Sequence, residues 1–150
     1  MDNATIQLQL WDITSLEEKG NKTRVFFLFF LFILSVKKIV PPKNKNEQQY
    51  YENADGALIL SDVTNPISLE EAKRWKVDLD NKTNKKIPAV LLANKTDMPH
   101  SPPNRDKLGE FLFNNKFSKY HEVSANDGRG LEEAFIDLLT QIYAPEGEIN

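Results

Sequence analysis

Ile87-Pro-Ala-Val-Leu-Leu-Ala-Asn-Lys-Thr-Asp97 is the stretch that decides the fold of this chain. An apolar run from Ala89 to Ala93 ends abruptly in polar residues, which is typical of a strand buried on both faces of a parallel sheet. The polar residues then follow at the carboxyl end of that strand, where open α/β sheets bind their ligands. The pattern therefore predicts an α/β fold with a ligand site just after Ala93.

Three polar residues of this stretch have side chains suited to recognising a guanine base. An ionised Asp97 only accepts hydrogen bonds, so it can receive two N–H bonds from one planar edge. Guanine presents such an edge through its N1–H and its N2 amino group, and adenine does not. Asn94 can donate and accept nearby, and the aliphatic stem of Lys95 can cover a flat ring. Because such residues are also common where a strand enters a loop, the tetrapeptide alone leaves a purely structural interpretation open.

A second polar motif, Glu122-Val-Ser124-Ala125-Asn126, follows a short strand-like segment. Together, Asn94-Lys95-x-Asp97 and Ser124-Ala125 resemble the base-recognition pair of the small Ras-type GTPases. Three segments have sequences similar to the Rab family, namely residues 8–13, 21–25 and 50–51. Within the first of them, Trp11-Asp12-Ile13 resembles the start of the third nucleotide motif. Two further segments are similar to the Rab subgroup that serves lysosome-related organelles: residues 75–79 and 87–93.

The resemblance implies a P-loop NTPase-like three-layer sandwich around a mostly parallel sheet. It implies GTP or GDP with Mg²⁺ as ligands, and Rab effectors and regulators as partners in vesicle traffic. In such a protein the backbone N–H of Ala125 would donate to guanine O6, and Ser124 would hold that loop. Asn126 stands where the family usually has lysine. Asp12 would orient a magnesium-bound water beside the γ-phosphate.

Two departures from the family concern the triphosphate. Where the Rab pattern continues Ala-Gly-Gln-Glu, residues 14–17 of this chain read Thr-Ser-Leu-Glu. The family glutamine orients the attacking water, and the Leu16 side chain has no polar atom, so we predict that hydrolysis is lost. The sequence also contains no G-x-x-x-x-G-K-[ST], the loop that cradles phosphates and supplies a lysine and a Mg²⁺-binding hydroxyl. We therefore assign no catalytic residue.

These departures make residues 1–150 resemble a single, partial small-GTPase domain, truncated at its amino end. The first strand, the phosphate loop and the first switch of the family have no counterpart ahead of Asp12. The sheet is therefore expected to lack its central first strand, which would leave a gap with unpaired backbone groups. We predict marginal stability for the isolated chain.

Residues 26–49 interrupt the resemblance as a non-family insertion. The first part is almost entirely Phe, Leu and Ile, and the second is rich in Lys, Asn, Gln and Pro. Such a composition is what an AT-rich intron would encode if it were translated. The apolar run of residues 25–36 is shorter than the roughly 20 residues that a membrane-spanning helix needs. A shallow contact of residues 25–40 with anionic headgroups is the alternative.

Bulk properties restrict the partners. A net charge of −3 gives no electrostatic footprint for nucleic acid. With no cysteine in the sequence, neither a disulfide nor a prenyl or palmitoyl anchor can form. The start of the sequence lacks the features of a signal peptide, so we expect a cytoplasmic protein, peripheral on organelle membranes. Two alternatives to a GTPase stay open: a non-catalytic protein that titrates Rab partners, and a membrane-associating protein that uses residues 25–36.

The remaining pattern predicts a second buried strand and three helices. Residues 57–63 form the strand. Ser68 and Glu71 have the spacing of a capping box at the start of one helix, and Asn104 can cap the next. Apolar residues from Leu131 to Ile142 recur at helical spacing, which indicates an amphipathic helix that packs on the sheet. His100 and His121 have no companion ligand and are expected to be solvated.

Overall fold

The computed structural model describes residues 9–13, 31–35, 51 and 54–143, with side chains for residue 51 and residues 54–143. The described strands are β1 Gln9–Ile13, β2 Leu31–Ser35, β3 Gly56–Asp62, β4 Ala89–Asn94 and β5 Lys119–Glu122. The described helices are α1 Ile67–Lys82, α2 Arg105–Asn114 and α3 Leu131–Tyr143. The predictions of buried strands at 57–63 and 89–93 and of an amphipathic helix from Leu131 are thereby confirmed.

The described strands form one sheet in the order β1-β2-β3-β4-β5. β3 pairs in parallel with β4, and β4 pairs in parallel with β5. β2 is antiparallel to both β1 and β3, so β2 alone runs against the other four described strands. The sheet is therefore mostly parallel, as predicted, and the carboxyl ends of β3, β4 and β5 meet at one edge.

The expected gap in the sheet is absent, and that expectation was wrong. β2, which comes from within residues 26–49, occupies the place between β1 and β3. Its residues pair with Gln9–Ile13 on one side, and Leu31 to Leu34 pair with Ile59 to Gly56 on the other. A strand in this place supplies backbone N–H and C=O groups to two neighbouring strands at once. Its Leu, Phe and Ile residues also favour the strand conformation. Within the described ranges, no helix is long and apolar enough to cross a membrane.

Helices cover both faces of the sheet, which makes the predicted three layers. On one face, α1 packs Ala72, Trp75 and Leu79 against alternate residues of β3 and β4. On the other, α3 packs Ala134 and Leu138 against the residues in between. Because successive strand residues point to opposite faces, a strand covered on both sides reads as a continuous apolar run. Trp75 is only 6% exposed, so it belongs to the core between α1 and the sheet.

The starts of the helices confirm one cap and correct another. The Asn104 side chain accepts a hydrogen bond from the backbone N–H of Lys107, as predicted for α2. The capping box at Ser68 was wrong, because the N-cap of α1 is Pro66, two residues earlier, and Ser68 lies inside the helix. The buried Ser68 hydroxyl instead accepts from the backbone N–H of Asp62 at 2.8 Å and lies 2.9 Å from its carbonyl oxygen. It therefore ties α1 to the carboxyl end of β3.

Candidate functional site

The β4 exit builds one half of the candidate site. Asn94 is the last residue of β4, and Lys95 adopts the left-handed conformation with φ of 69°. This conformation is uncommon for a residue with a side chain, and it is often found where a backbone is constrained for function. The Thr96 hydroxyl and backbone N–H both bond to the carbonyl of Val123, at 2.9 and 3.2 Å. The loop after β4 is therefore held against the loop after β5.

The loop after β5 builds the other half. Ser124 is fully buried, and its carbonyl accepts from the N–H of Gly128 at 2.8 Å. Gly130 has φ of 71°, and a Cβ there would lie 2.3 Å from the Glu122 carbonyl, so only glycine fits. The backbone N–H of Arg129 bonds to Asp127 and, with the Arg129 guanidinium, holds the pKa of that carboxyl below its ordinary value. The loop is thus closed by its own hydrogen bonds.

Five of the predicted base-recognition residues are joined across these two loops. We call them the Asp97 cluster: Asn94, Asp97, Ser124, Ala125 and Asn126. The Ser124 hydroxyl donates to Asp97 Oδ1 at 2.8 Å, and the Asn126 amide approaches Asp97 Oδ2 at 3.3 Å. The backbone N–H of Ala125 donates to Asn94 Oδ1 at 2.9 Å. The Asp97 residue itself is exposed. An acceptor carboxylate is therefore anchored through one oxygen, while its other oxygen makes only a long contact.

Two details differ from the roles that the resemblance implied. The Ala125 N–H, expected to donate to guanine O6, is engaged by Asn94 in this structure. The O6 carbonyl oxygen of guanine would have to share that donor or displace the Asn94 side chain. Lys95, expected to cover the ring with its stem, has its ammonium in an ion pair with Asp62 Oδ2, and its side chain is 48% exposed. The stem is thus tethered at its tip.

Asp62 belongs to this site and was not singled out from the sequence. It is the last residue of β3 and lies in register with Asn94. The Thr64 backbone N–H and hydroxyl donate to Asp62 Oδ1 at 2.8 and 2.6 Å. Its signal in the sequence was its position, an acidic residue ending a buried strand next to β4. Parallel pairing of the two strands brings it beside the Lys95 loop.

The Asp62–Lys95 pair predicts a pH-dependent contribution to stability. Burial acts to raise the pKa of Asp62, but hydrogen bonds from Lys95 and Thr64 outweigh it and hold the pKa below the ordinary 3.8. A lowered folded-state pKa gives stability that is present above pH 3.8 and is lost as pH falls through the folded pKa. We expect Lys95→Met to lower the free energy of unfolding at neutral pH by about 0.2–1 kcal/mol, and this difference to vanish in acid.

Urea unfolding of both proteins between about pH 7 and pH 2 measures this difference over the relevant window. Lys107→Met, which removes an exposed lysine of α2, serves as the matched charge control. A Lys95→Met effect of equal size at neutral and acid pH would mean that Asp62 is not the partner that matters.

A cavity of about 480 Å³ lies beside the Asp62–Lys95 ion pair, between the start of α1 and the loop 99–103. Asp62, Ser68 and His100 contribute to its lining, while Asp97 and residues 123–126 do not. Burial and the neighbouring Glu122 carboxylate raise the pKa of Tyr120, which also lines it. The cavity is therefore separate from the Asp97 cluster, on the α1 side of the sheet.

The residues present fit the base of a guanine nucleotide better than its phosphates and metal. Asp12 lies in β1, and its side chain and Leu16 lie outside what the structure describes. Among the residues with described side chains, no three His, Asp or Glu are grouped to hold a metal ion.

The two histidines both have hydrogen-bond partners. His100 Nδ1 lies 2.8 Å from the Met98 carbonyl, and His121 Nε2 lies 2.8 Å from Asp137. His121 therefore links β5 to α3 instead of being simply solvated.

Comparison with known proteins places these motifs in a family context. The model of the Ras family matches residues 44–144, which include every residue of the Asp97 cluster and exclude Asp12. Ras-related protein Rab-7L1 of Rattus norvegicus is 30% identical over 145 residues, covering 94% of this chain and 59% of the relative. Ras-related protein Rab-32 of Sus scrofa is 34% identical over 144 residues, covering 93% and 53%.

The human protein of the same name, Rab-32, is 33% identical over 142 residues, covering 91% of this chain and 52% of the relative. The chain thus spans between about half and three fifths of the length of these relatives. The match is to part of each relative, and it includes the two loops that meet at Asp97.

Proposed function

Since the chain belongs to the Ras family and is similar to its Rab proteins, we propose that it recognises the guanine base of GTP and GDP through Asp97. The observation that carries the proposal is the anchored carboxylate: Ser124 holds Oδ1 from a buried position, and the residue remains exposed. The proposed site comprises the residues of the two loops: Asn94, Lys95, Asp97, Ser124, Ala125 and Asn126.

The chemistry of the carboxylate favours guanine over adenine. Guanine N1–H and N2–H would both donate to Asp97, and the long 3.3 Å contact from Asn126 is the one that the base would replace. Adenine presents an acceptor at N1, which would face a carboxylate without a proton between them. Hydrogen bonds to charged groups contribute about 1.5–3 kcal/mol each, so the base preference is worth at least tenfold in affinity.

The phosphate half of the site is proposed to be weak. The sequence has no phosphate loop, and the residues with described side chains offer no cluster for Mg²⁺. When bound, Mg²⁺ would neutralise phosphate charge, and Asp12 is the residue that the resemblance assigns to its bound water. We therefore expect affinity for GDP to be low, with the base providing most of the selectivity.

The test is a titration of the whole chain with GDP and, separately, with ADP, followed by the backbone amide signal of Ala125. GDP should shift that signal, because the base either shares or displaces the Ala125–Asn94 bond. ADP at the same concentration should leave it in place. Ser124→Ala, which releases Asp97 Oδ1, should reduce the response to GDP, whereas Ser101→Ala, an exposed residue outside the cluster, should not. Equal responses to the two nucleotides would refute base recognition.

We also propose that the chain does not hydrolyse GTP at an appreciable rate. The support is the Leu16 side chain, which cannot orient water where the family has glutamine, together with the lack of a phosphate-loop motif within residues 1–150. A phosphate-release assay with excess GTP and Mg²⁺ should stay at the rate of the buffer blank. Turnover at the rate of an ordinary Rab protein, measured alongside, would contradict this.

We propose that the chain acts in vesicle traffic, with Rab effectors and regulators as partners. Its membership of the Ras family and its similarity to Rab proteins support this proposal. We propose a cytoplasmic protein, peripheral on organelle membranes; residues 1–150 contain no cysteine that could carry a lipid. The second candidate is a non-catalytic protein that occupies Rab partners. The feature that favours it is a Rab-like sheet in which the ends of β3, β4 and β5 meet at one edge, in a sequence whose residues 1–150 contain no phosphate-loop motif.

A further inference from the structure

A basic pocket lies at the other end of the sheet from the Asp97 cluster. It has a volume of about 450 Å³ and forms where the end of α1, the loop 83–88 and the turn after α2 meet. Four lysines line it, with one acid, and these are Lys76, Lys85, Lys86, Lys116 and Asp80. The loop 83–88 leads into β4 at Ala89, whereas the Asp97 cluster begins at Asn94, the last residue of that strand. At about 3.3 Å per residue, the strand separates the two sites by roughly 17 Å.

Two of the four lysines are neutralised by acids. The Lys76 ammonium, with 4% of its side chain exposed, bonds to both carboxylate oxygens of Asp80 at 2.6 Å. The Lys85 ammonium pairs with Asp55. In the part of the chain with described side chains, the ammonium groups of Lys86 and Lys116 have no acidic group within 4.0 Å. Two positive charges thus remain unpaired at one pocket of a chain whose net charge is −3.

Lys116 is held in a conformation that a lysine does not prefer. It follows the α2 C-cap Asn115 with φ of 55°, in the left-handed region. The Phe117 N–H bonds to Leu112 O at 3.0 Å, and the Lys116 N–H bonds to Phe113 O at 3.2 Å. This is the hydrogen-bond pattern of a Schellman motif, whose left-handed position is usually glycine or asparagine. A lysine there costs stability, which a contact made by its ammonium group would offset.

We propose that this basic pocket binds a phosphomonoester, either on an inositol-lipid headgroup or on a soluble metabolite. A phosphomonoester carries a charge of about −1.5 to −2 near neutral pH, which matches the two unpaired lysines. Lysine binds phosphate as a point charge through its ammonium group. The Asn84 side-chain amide lines the same pocket and can donate to a phosphate oxygen. The Asp97 cluster plays no part in this phosphate binding.

The left-handed lysine provides a variant that separates binding from folding. Lys116→Gly removes the ammonium group and at the same time relieves the backbone, so it should raise the melting temperature by about 2–4 °C. It should also weaken binding of inositol bisphosphate by about fivefold or more, since one charge-assisted contact is lost. Lys86→Ala should weaken binding to a similar degree and serves as the second, independent variant.

Lys107→Ala is the matched control, because Lys107 is an exposed lysine of α2 that does not line the pocket. Its affinity for inositol bisphosphate should stay within about twofold of that of the unmodified chain, as expected of a distant exposed charge. Equal weakening by Lys107→Ala would mean that binding follows net charge and not the pocket, and it would overturn the proposal. The absence of any binding by the unmodified chain to inositol bisphosphate and to phosphoinositide vesicles would overturn it as well.

Vesicles distinguish the two sources of the phosphate. Co-sedimentation with phosphatidylcholine vesicles that contain phosphatidylinositol phosphate, but not with vesicles of phosphatidylcholine and phosphatidylserine, would identify a lipid headgroup as the ligand. Binding to inositol bisphosphate without co-sedimentation would identify a soluble phosphate. Deletion of residues 26–30 should leave co-sedimentation with the phosphoinositide vesicles unchanged. If the deletion abolished co-sedimentation, the apolar segment and not the pocket would make the membrane contact, and the proposal would be overturned.

Discussion

Replacing Asp97 by asparagine should transfer the base preference of this chain from guanine to xanthine. Xanthine carries a carbonyl where guanine carries the N2 amino group and retains N1–H. An amide offers one acceptor and one donor, so it complements xanthine and leaves the guanine amino group facing an N–H donor. The guanine N2 amino group loses its bond to a charged acceptor, at about 1.5–3 kcal/mol, which predicts at least a tenfold weaker affinity for GDP.

The comparison requires titrations of Asp97→Asn and of the unmodified chain with GDP and xanthosine diphosphate, monitored at the Ala125 amide. Asp106→Asn, which neutralises an exposed acid at the start of α2, is the control for net charge. It should bind GDP as the unmodified chain does. If Asp97→Asn kept its preference for GDP, the carboxylate could not be the group that reads the base. The hydrogen bonds of the Asp97 cluster would then serve only to hold the loops after β4 and β5 together.

Removal of β2 should cost more stability than any other change considered for this chain. β3 is buried from Gly56 to Ser61, with Ala57 and Leu58 fully inaccessible and Ile59 1% exposed. Deleting residues 26–49 would convert β3 into an edge and leave β1 without its partner strand. The four register pairs between β2 and β3, at about 0.5–1.5 kcal/mol net per hydrogen bond, put the loss at about 2–6 kcal/mol.

Ile33→Pro tests the same idea with one substitution, because proline removes a backbone donor from a strand that pairs on both sides. Lys43→Pro, next to Pro41 and Pro42, controls for the introduction of proline into the segment. Urea unfolding should show a lower midpoint for Ile33→Pro and for the deletion, with little change for Lys43→Pro. A deletion variant as stable as the full chain would show that residues 26–49 are dispensable, as expected of a translated intron.

The sequence was a sound guide wherever the determining information was local. The apolar runs of β3 and β4 predicted strands covered on both faces, since only such strands lack a polar period. The spacing from Leu131 to Ile142 predicted α3, and its buried residues Ala134 and Leu138 lie where that spacing places them. Position at the end of a strand was the signal that identified Asn94, Asp97 and Ser124 as candidates. Parallel pairing of β4 with β5 then brings the two loops together.

Tertiary structure decided the features whose partners are distant in the chain. No local pattern shows that an apolar segment such as β2 will pair with both β1 and β3, because pairing depends on the free edges that other strands present. The Asp62–Lys95 ion pair and the Ala125–Asn94 bond likewise span 33 and 31 residues. The left-handed Lys116 is set by the helix end around it, against the preference of the residue itself. Residue types therefore determined which chemistry this chain can offer, and long-range hydrogen bonds and burial determined which groups remain free to use it.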